Sequence, residues 1–441
     1  MDTLDFVDEE LHGLEQRGVF RWLRCMEGPH GPVMTVDGRR AIVLASSNYL
    51  GLSTHSRVTE AAARAAAQYG CSVGASRLIA GNHDLYADLE ARLAGLKSTE
   101  AALVFSTGYM ANLGVLTALA GPDDMVFSDA LNHASIIDGI RLSRAAVAVF
   151  PHNDVDALED LLRAHRARRR IVIVDGVFSM DGDVAPLPDL LAVARRWGAL
   201  LVVDDAHGTG TLGPGAAGAL AACGLAGAAD VEVGTLGKAL GSFGAFVAGP
   251  RKLIRLLVNK ARSFIFTCGL PPSVLAASSA ALDVLHDEPD LPRRLMENTR
   301  LVRHRLRDAG FDLGPSTTHI LPVHVGDSRR TMDFCHRLLE AGVFAQGIRH
   351  PTVPEGTERL RVTPMATHTA DQLETACRAI VEVGAALGLP APPTANPRRQ
   401  TADGRRRSPV PGRRSAVGGR ASAVRGRRSA VARRRSALGP A

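Results

Sequence analysis

The sequence predicts an α/β protein: a mostly parallel sheet with helices on both faces, followed in the chain by a smaller α+β unit. Three observations carry this. Short apolar runs alternate with Ala-rich helical patterns from about 46 to 290. Those runs are apolar at successive positions, as strands buried on both faces are. From about 291 the order changes to helix, strand, helix, strand, helix.

Residues 1–45 read as an N-terminal arm, a polar amphipathic stretch (LDFVDEELHGLEQRGVFRWLR) followed by GPHGP and a small hairpin, VMTVDGRRAIV. A large domain over 46–290 takes its strands from ALVF (102–105), MVFS (125–128), AVAVF (146–150), IVIV (171–174), ALLVV (199–203) and VEVG (231–234). Segments such as LPDLLAVARRWG supply helices between them. A small C-terminal domain over 291–388 contains RRLMENTRLVRHRLRDAG, ILPVHVG, TMDFCHRLLEAG and a last helix after Ala370. Residues 389–441 open with the Pro-rich APPTANP and repeat RRSAV, RASAV and RRSAL without apolar periodicity. Such a segment buries too little surface to offset its chain entropy, so a disordered Arg-rich tail is expected.

The chain has 441 residues, 46% apolar and 22% charged, as globular proteins do. No uninterrupted apolar run reaches eighteen residues and the N-terminus is acidic, which argues against a membrane span and a secretory signal. The six cysteines form no CxxC pair, so neither a disulfide framework nor a metal site is expected, and a cytoplasmic location is. The net charge of +7 divides unevenly: residues 398–441 carry +13 and residues 1–397 carry −6. A nucleic-acid partner is therefore not expected for the body. The tail offers phosphate contacts without an aromatic residue to stack on bases, and equally reads as an unselected extension.

Only four of the 52 basic residues are lysine, and one, Lys238, lies in GTLGKALG after a strand. Lysine, unlike arginine, loses its proton and forms an imine with an aldehyde. A snorkelling or phosphate-binding lysine is the alternative, but Ala239 rules out GxxxxGK[ST]. LLVVDDAHGTG places Asp204 at a strand end and His207 three residues on, in a Gly-rich turn. A carboxylate there suits a pyridinium nitrogen and an imidazole suits a phenolic oxygen; a metal pair or an N-cap are the bland readings. STGYMAN opens a helix after ALVF, where Gly108 and Tyr109 could present N–H groups to a phosphate or form an ordinary turn. Thr235 adds a hydroxyl near Lys238. His133, in DALNHASIIDG, is either a ring-stacking residue or a solvent-facing loop histidine. Asp175 and Ser179 mark another strand end.

In this order, after successive strands, these pieces resemble the α-oxoamine synthases, fold-type-I pyridoxal phosphate (PLP) enzymes that condense an amino acid with an acyl thioester and release CO₂. The likeness spans roughly residues 15–388 and is densest at SSNYLGL (46–52), GASRLIAGNH (74–83), HNDVDALEDLL (152–162), DGVFSMDGD (175–183), VVDDAHGTGTLG (202–213), TLGKALGSFGAF (235–246) and IFTCGLPP (265–272). GIRHPTVPEGTERLRVT (347–363) resembles the biotin-pathway branch, which joins L-alanine to a pimeloyl thioester carried on CoA or acyl-carrier protein; branches using glycine or serine are the alternative. The resemblance implies PLP as cofactor and a homodimer. It implies Lys238 as the imine-forming lysine, Asp204 as the pyridinium partner, His207 at the phenolic oxygen, His133 stacked on the ring and Ser179 as a hydrogen-bond donor. Gly108, Tyr109, Thr235 and Thr267 fall at phosphate positions, Thr267 toward the neighbouring subunit. Arg361 falls where an arginine grips the amino-acid carboxylate. Arg21 (or Arg24), Asn48 and Thr352 fall at substrate positions. His350, Asp175 and the absent aspartate of the SNDYLGL form of the 46–52 motif are departures that touch the acyl side.

Overall fold

The computed structural model describes residues 3–389, so the Arg-rich tail lies outside the described residues. Strands β1 (Met26–Glu27), β2 (Val33–Val36) and β3 (Arg39–Val43) form the expected N-terminal ribbon. The large sheet contains β4 (Ala101–Phe105), β5 (Met125–Asp129), β6 (Ala146–Phe150), β7 (Arg170–Asp175), β8 (Leu200–Asp204), β9 (Val231–Thr235) and β10 (Ala245–Gly249), in the order β4-β10-β9-β8-β7-β5-β6. Pairing is parallel from β6 through β9. β10 runs antiparallel to both of its neighbours. The C-terminal part adds β11 (Leu321–His324), β12 (Val343–Phe344), β13 (Gln346–Ile348) and β14 (Arg359–Val362). β12 pairs with β3, so the ribbon shares a sheet with C-terminal residues.

Period-two alternation builds three layers. On one face Leu103, Val126, Ile171, Ile173, Val202 and Val233 pack against helices Gly108–Leu119, Ala134–Ser143 and Arg251–Lys260. On the other, Phe127, Val172, Val174, Leu201 and Val203 meet Val155–Ala164 and Leu187–Arg196, while Val104 and Phe246 meet Leu85–Leu96 and Pro272–Asp287. Side chains of this size contribute about 1.5–3 kcal/mol each when fully buried.

Two features depart from the sequence expectation. β6 is an edge strand: Ala148 and Phe150 are buried, but Val147 and Val149 are exposed. β10 was not foreseen. The connection 236–244 is too short for a parallel crossover, which needs about a dozen residues or more, so the chain turns back beside β9. That return loop carries Lys238.

The HND segment at 152–154 clamps the end of β5 to the loop that follows β7. His152 Nδ1 lies 3.0 Å from Asp129 Oδ1 and its Nε2 lies 2.8 Å from Asp183 Oδ2. Burial alone would lower the His152 pKa, but the bonds and charges of both aspartates outweigh it and push it up to about 9. A raised histidine pKa stabilises the fold fully below the unfolded value and is lost as pH rises through the folded one. His152→Gln is therefore expected to cost on the order of 3 kcal/mol at pH 6 and far less at pH 10, read by denaturant unfolding.

Candidate active site

The return loop is pinned on itself, with Leu236 N donating to Gly244 O at 2.9 Å and Ser242 N to Leu236 O at 2.9 Å. It presses on the turn formed by SSNYLGL: Gly241 has φ +61°, and a Cβ there would fall 2.2 Å from Ser53 N. This contact brings a 46–52 residue into reach of Lys238. Lys238 Nζ lies 2.9 Å from His207 Nε2, and His207 Nδ1 lies 2.8 Å from the Tyr49 hydroxyl. Arg361 on β14 donates to that hydroxyl at 3.2 Å and to the Ser179 carbonyl at 2.7 Å. Lysine, histidine, tyrosine and arginine thus form one hydrogen-bonded line.

Its protonation follows from burial. Burial, then the charges of Lys238 and Arg361, hold His207 well below the ordinary histidine range. Burial also lowers Lys238, against the raising pull of Tyr49 and Asp204. Arginine only donates, so Tyr49 accepts from Arg361, and the direction of its bond to His207 Nδ1 follows the histidine tautomer. His207 is the uncharged link between the two, its Nε2 facing Lys238 Nζ and its Nδ1 facing the Tyr49 hydroxyl.

Two carboxylates stand at neighbouring strand ends, Asp175 on β7 in register with Asp204 on β8. Asp204 accepts from Asn112 Nδ2 at 2.6 Å and from Ala206 N at 3.0 Å. Asn112 also donates to Ser135 Oγ at 2.8 Å, and Ser135 Oγ lies 2.8 Å from His133 Nδ1. Burial, then the Asp204 charge, pushes Asp175 well above the carboxylate range, and its Oδ1 has no protein partner. Burial lowers His133 more than the Asp204 charge raises it. Two buried carboxyl groups, a lysine amine and a guanidinium therefore converge at the carboxyl ends of parallel strands, where α/β sheets bind ligands.

The sequence profile of the family described as "Aminotransferase class I and II" matches residues 39–380. The chain belongs to this family. It is 52% identical over 384 residues to the 8-amino-7-oxononanoate synthase of Geobacter sulfurreducens, covering 86% of this chain and 98% of that protein. Among solved structures, a serine palmitoyltransferase of S. paucimobilis with a bound PLP–myriocin aldimine is 34% identical, with a TM-score of 0.83 over 88% of this chain and all of the other. The 8-amino-7-oxononanoate synthase of Francisella tularensis is 27% identical, with a TM-score of 0.68 over 78% of this chain and 97% of that one. The fold is that of the PLP-dependent fold-type-I enzymes.

The aminotransferase-family core brings together Lys238, His207, Asp204, His133, Arg361 and the Ser179 segment. Other expected positions lie around it. Gly108 and Tyr109 open helix Gly108–Leu119, whose cap, Thr107, accepts from Met110 N at 3.1 Å; the Tyr109 hydroxyl donates to Asp138. Thr267 shares a small groove with Ser106 and Arg77. Thr235 donates to Gly244 O at 3.0 Å and accepts from Gly237 N at 3.2 Å. Asn48 ties its own turn to the segment before β2, donating to Ser53 Oγ at 2.7 Å and to His30 O at 3.0 Å. Arg21 and Thr352 line a separate cavity of about 530 Å³ with Trp22, Arg24 and Arg349. Within it Arg24 is ion-paired to Asp37 at 2.6 Å. Among the described residues no His, Cys, Asp and Glu cluster is arranged to hold a metal ion.

Three residues of the site had not been singled out. Two of them are Tyr49 and Asn112, which hold His207 and Asp204. His319 is another kind: fully buried, its ring centroid 4.1 Å from that of Tyr49, with neither ring nitrogen bonded to protein. Burial, then the Arg361 and Lys238 charges, lowers its pKa to about 3, so it is neutral and packs behind Tyr49.

Proposed function

We propose that this chain catalyses the PLP-dependent condensation of L-alanine with a pimeloyl thioester, releasing CO₂ and the thiol and forming 8-amino-7-oxononanoate for biotin synthesis. The observation that carries the chemistry is the line Lys238–His207–Tyr49–Arg361 beside Asp204. The substrate assignment is supported by the extent of similarity to the Geobacter sulfurreducens enzyme.

The residues fit the cofactor. The pair Asp175 and Asp204, with Asp175 Oδ1 unpartnered, suits a cationic heterocycle, and burial lowers the Lys238 pKa toward the neutral amine that an aldehyde requires. PLP supplies there an electron sink for the pair left when a bond to the substrate α-carbon breaks. Asp204 would keep the proton on the ring nitrogen, and His207 would hydrogen-bond the phenolic oxygen. His133 would lie against the ring and Ser179 would donate a further hydrogen bond. Gly108, Tyr109 and Thr235 would hold the phosphate, with Thr267 serving a neighbouring subunit's. Arg361 orients the L-alanine carboxylate, and Lys238 Nζ takes and returns the α-proton. Arg21, Asn48 and Thr352 serve the acyl chain.

The assembly is proposed to be a cytoplasmic homodimer of large domains (46–290) and small domains (291–388). Leu78, Ile79, Phe243 and Phe266 are exposed on segments near Thr267, an apolar surface that a second copy would cover. Among the described residues no helix is long and apolar enough to cross a membrane.

The test is a substrate panel on PLP-loaded protein, with CoA release and product mass as readouts. L-Alanine with pimeloyl-CoA is expected to turn over at least tenfold faster than glycine or serine with the same thioester. Turnover confined to serine with a long-chain acyl-CoA would reassign the chain to the serine-using branch.

A further inference from the structure

Lys97, following helix Leu85–Leu96, is 1% exposed. Its Nζ donates to Asp205 Oδ2 at 2.7 Å, to Ala217 O at 2.6 Å and to Glu232 Oε1. Asp205 accepts in addition from Thr209 Oγ1 at 3.0 Å and Ala219 N at 3.1 Å, and its own N–H donates to Val233 O at 2.7 Å. The space is built for this group: a Cβ on Gly218 would lie 1.8 Å from Asp205 Oδ2 and 2.7 Å from Lys97 Nζ. A Cβ on Gly208 would lie 2.1 Å from Asp205 Oδ1.

The connection to the site runs through two strands. Successive strand residues point to opposite faces, so Asp204 faces the site while Asp205 faces Lys97. Fixing Asp205 fixes the peptide that aims Asp204 and starts the turn to His207. Glu232 lies on β9, which ends at Thr235 and leads into the Lys238 loop. One ammonium group therefore ties the strand bearing Asp204 to the strand that delivers Lys238.

We propose that Lys97, acting through Asp205 and Glu232, is a positioning residue that sets the Asp204–His207 turn against the Lys238 loop, and that a proton held on Glu232 belongs to the active arrangement. This rests on the function proposed above. Charge supports it. Burial, with the Asp205 charge added and Lys97 opposing, pushes Glu232 up to about 7. Burial works against the charge on Lys97, but the two carboxylates outweigh it and raise Lys97 above its ordinary value. The titratable groups bearing on Glu232 are Lys97 and Asp205; Ala217 O and the Phe246 ring, 6.0 Å from Lys97 Nζ, complete the lysine's surroundings. Below about pH 7 one cation faces one carboxylate; above it, a second buried negative charge appears with no second cation.

The test compares PLP-loaded wild type, Glu232→Gln and Lys97→Met. Glutamine keeps an acceptor for Lys97 and removes the titration. Wild-type kcat is expected to fall as pH rises through about 7, while the glutamine variant stays level to about pH 8 with an unchanged KM for L-alanine. A raised acid pKa loses folded-state stabilisation between its unfolded and folded values, so the thermal midpoint of wild type should drop relative to the variant from about pH 4.5 to 7 and then run parallel. Lys97→Met, assayed well below its midpoint, should lose kcat by about tenfold to a hundredfold. Coincident pH curves for wild type and Glu232→Gln, or a PLP-loaded Lys97→Met with wild-type kcat, overturn the inference alone. Wild type that takes up no PLP overturns the function and this inference together.

Discussion

Replacing Lys238 with alanine should lower turnover by on the order of 10⁴-fold while leaving the fold intact. The size of the loss follows from the number of roles that one nitrogen holds. In the proposed function Lys238 would join the cofactor aldehyde and move the α-proton, and no neighbour could take over either role. His207, 2.9 Å away, is held well below the histidine range and is already bonded on its other nitrogen to Tyr49. Lys97 is locked in a separate buried cluster. The variant should still bind PLP, through Asp204, His207 and the phosphate groups, but should lose it on gel filtration, and the yellow colour should go with it. Lys238→Arg should fare no better, because a guanidinium cannot shed its proton to form an imine. The decisive readings are absorbance after gel filtration and single-turnover CoA release. Turnover within tenfold of wild type in either variant would remove Lys238 from the chemistry.

Much of this site was legible because each reactive residue sits directly after an apolar run. Lys238, Asp204, His207 and His133 follow strand ends whose burial is written locally in the sequence. What escaped depends on pairing across the chain. Tyr49 is a single aromatic in a turn, and its partner His207 lies 158 residues away, so nothing near Tyr49 signals the contact. Asn112 lies within a helix whose pattern is apolar, where a polar residue gains meaning only once Asp204 stands opposite it. β10 was hidden because AFVAG follows a Gly-rich stretch and reads as its continuation. The exposed valines of β6 show a further limit: when both faces of a strand are apolar in composition, alternation does not reveal that the strand lies at an edge. Rarity of lysine marks Lys238 through its Gly-rich setting, whereas the role proposed for Lys97 requires three elements to meet.

Asp204→Asn and Asp175→Asn should give opposite results although the two carboxylates sit side by side on β7 and β8. Asp204 is the member that protein donors hold, accepting from Asn112 Nδ2 at 2.6 Å and Ala206 N at 3.0 Å. In the proposed function an asparagine there would lose the charge that keeps a proton on the ring nitrogen, and whenever its amide faces Asn112 two donors meet and one goes unbonded. Turnover should fall by roughly 10²–10⁴-fold and PLP should bind more weakly. Asp175 is the opposite case, since burial and the Asp204 charge favour its protonated form. An asparagine mimics that neutral form, so turnover should stay within about tenfold of wild type. Stability also follows the sign: an acid with a raised folded pKa destabilises the fold increasingly as pH climbs above its unfolded value, and asparagine removes that cost. Asp175→Asn should thus raise the thermal midpoint at pH 7 relative to wild type. The pair of variants, compared by kcat, PLP affinity and melting at pH 5 and 7, separates the carboxylate that works as a charge from the one that works as an acid. Equal losses in both would mean that the two share one proton and act as a unit.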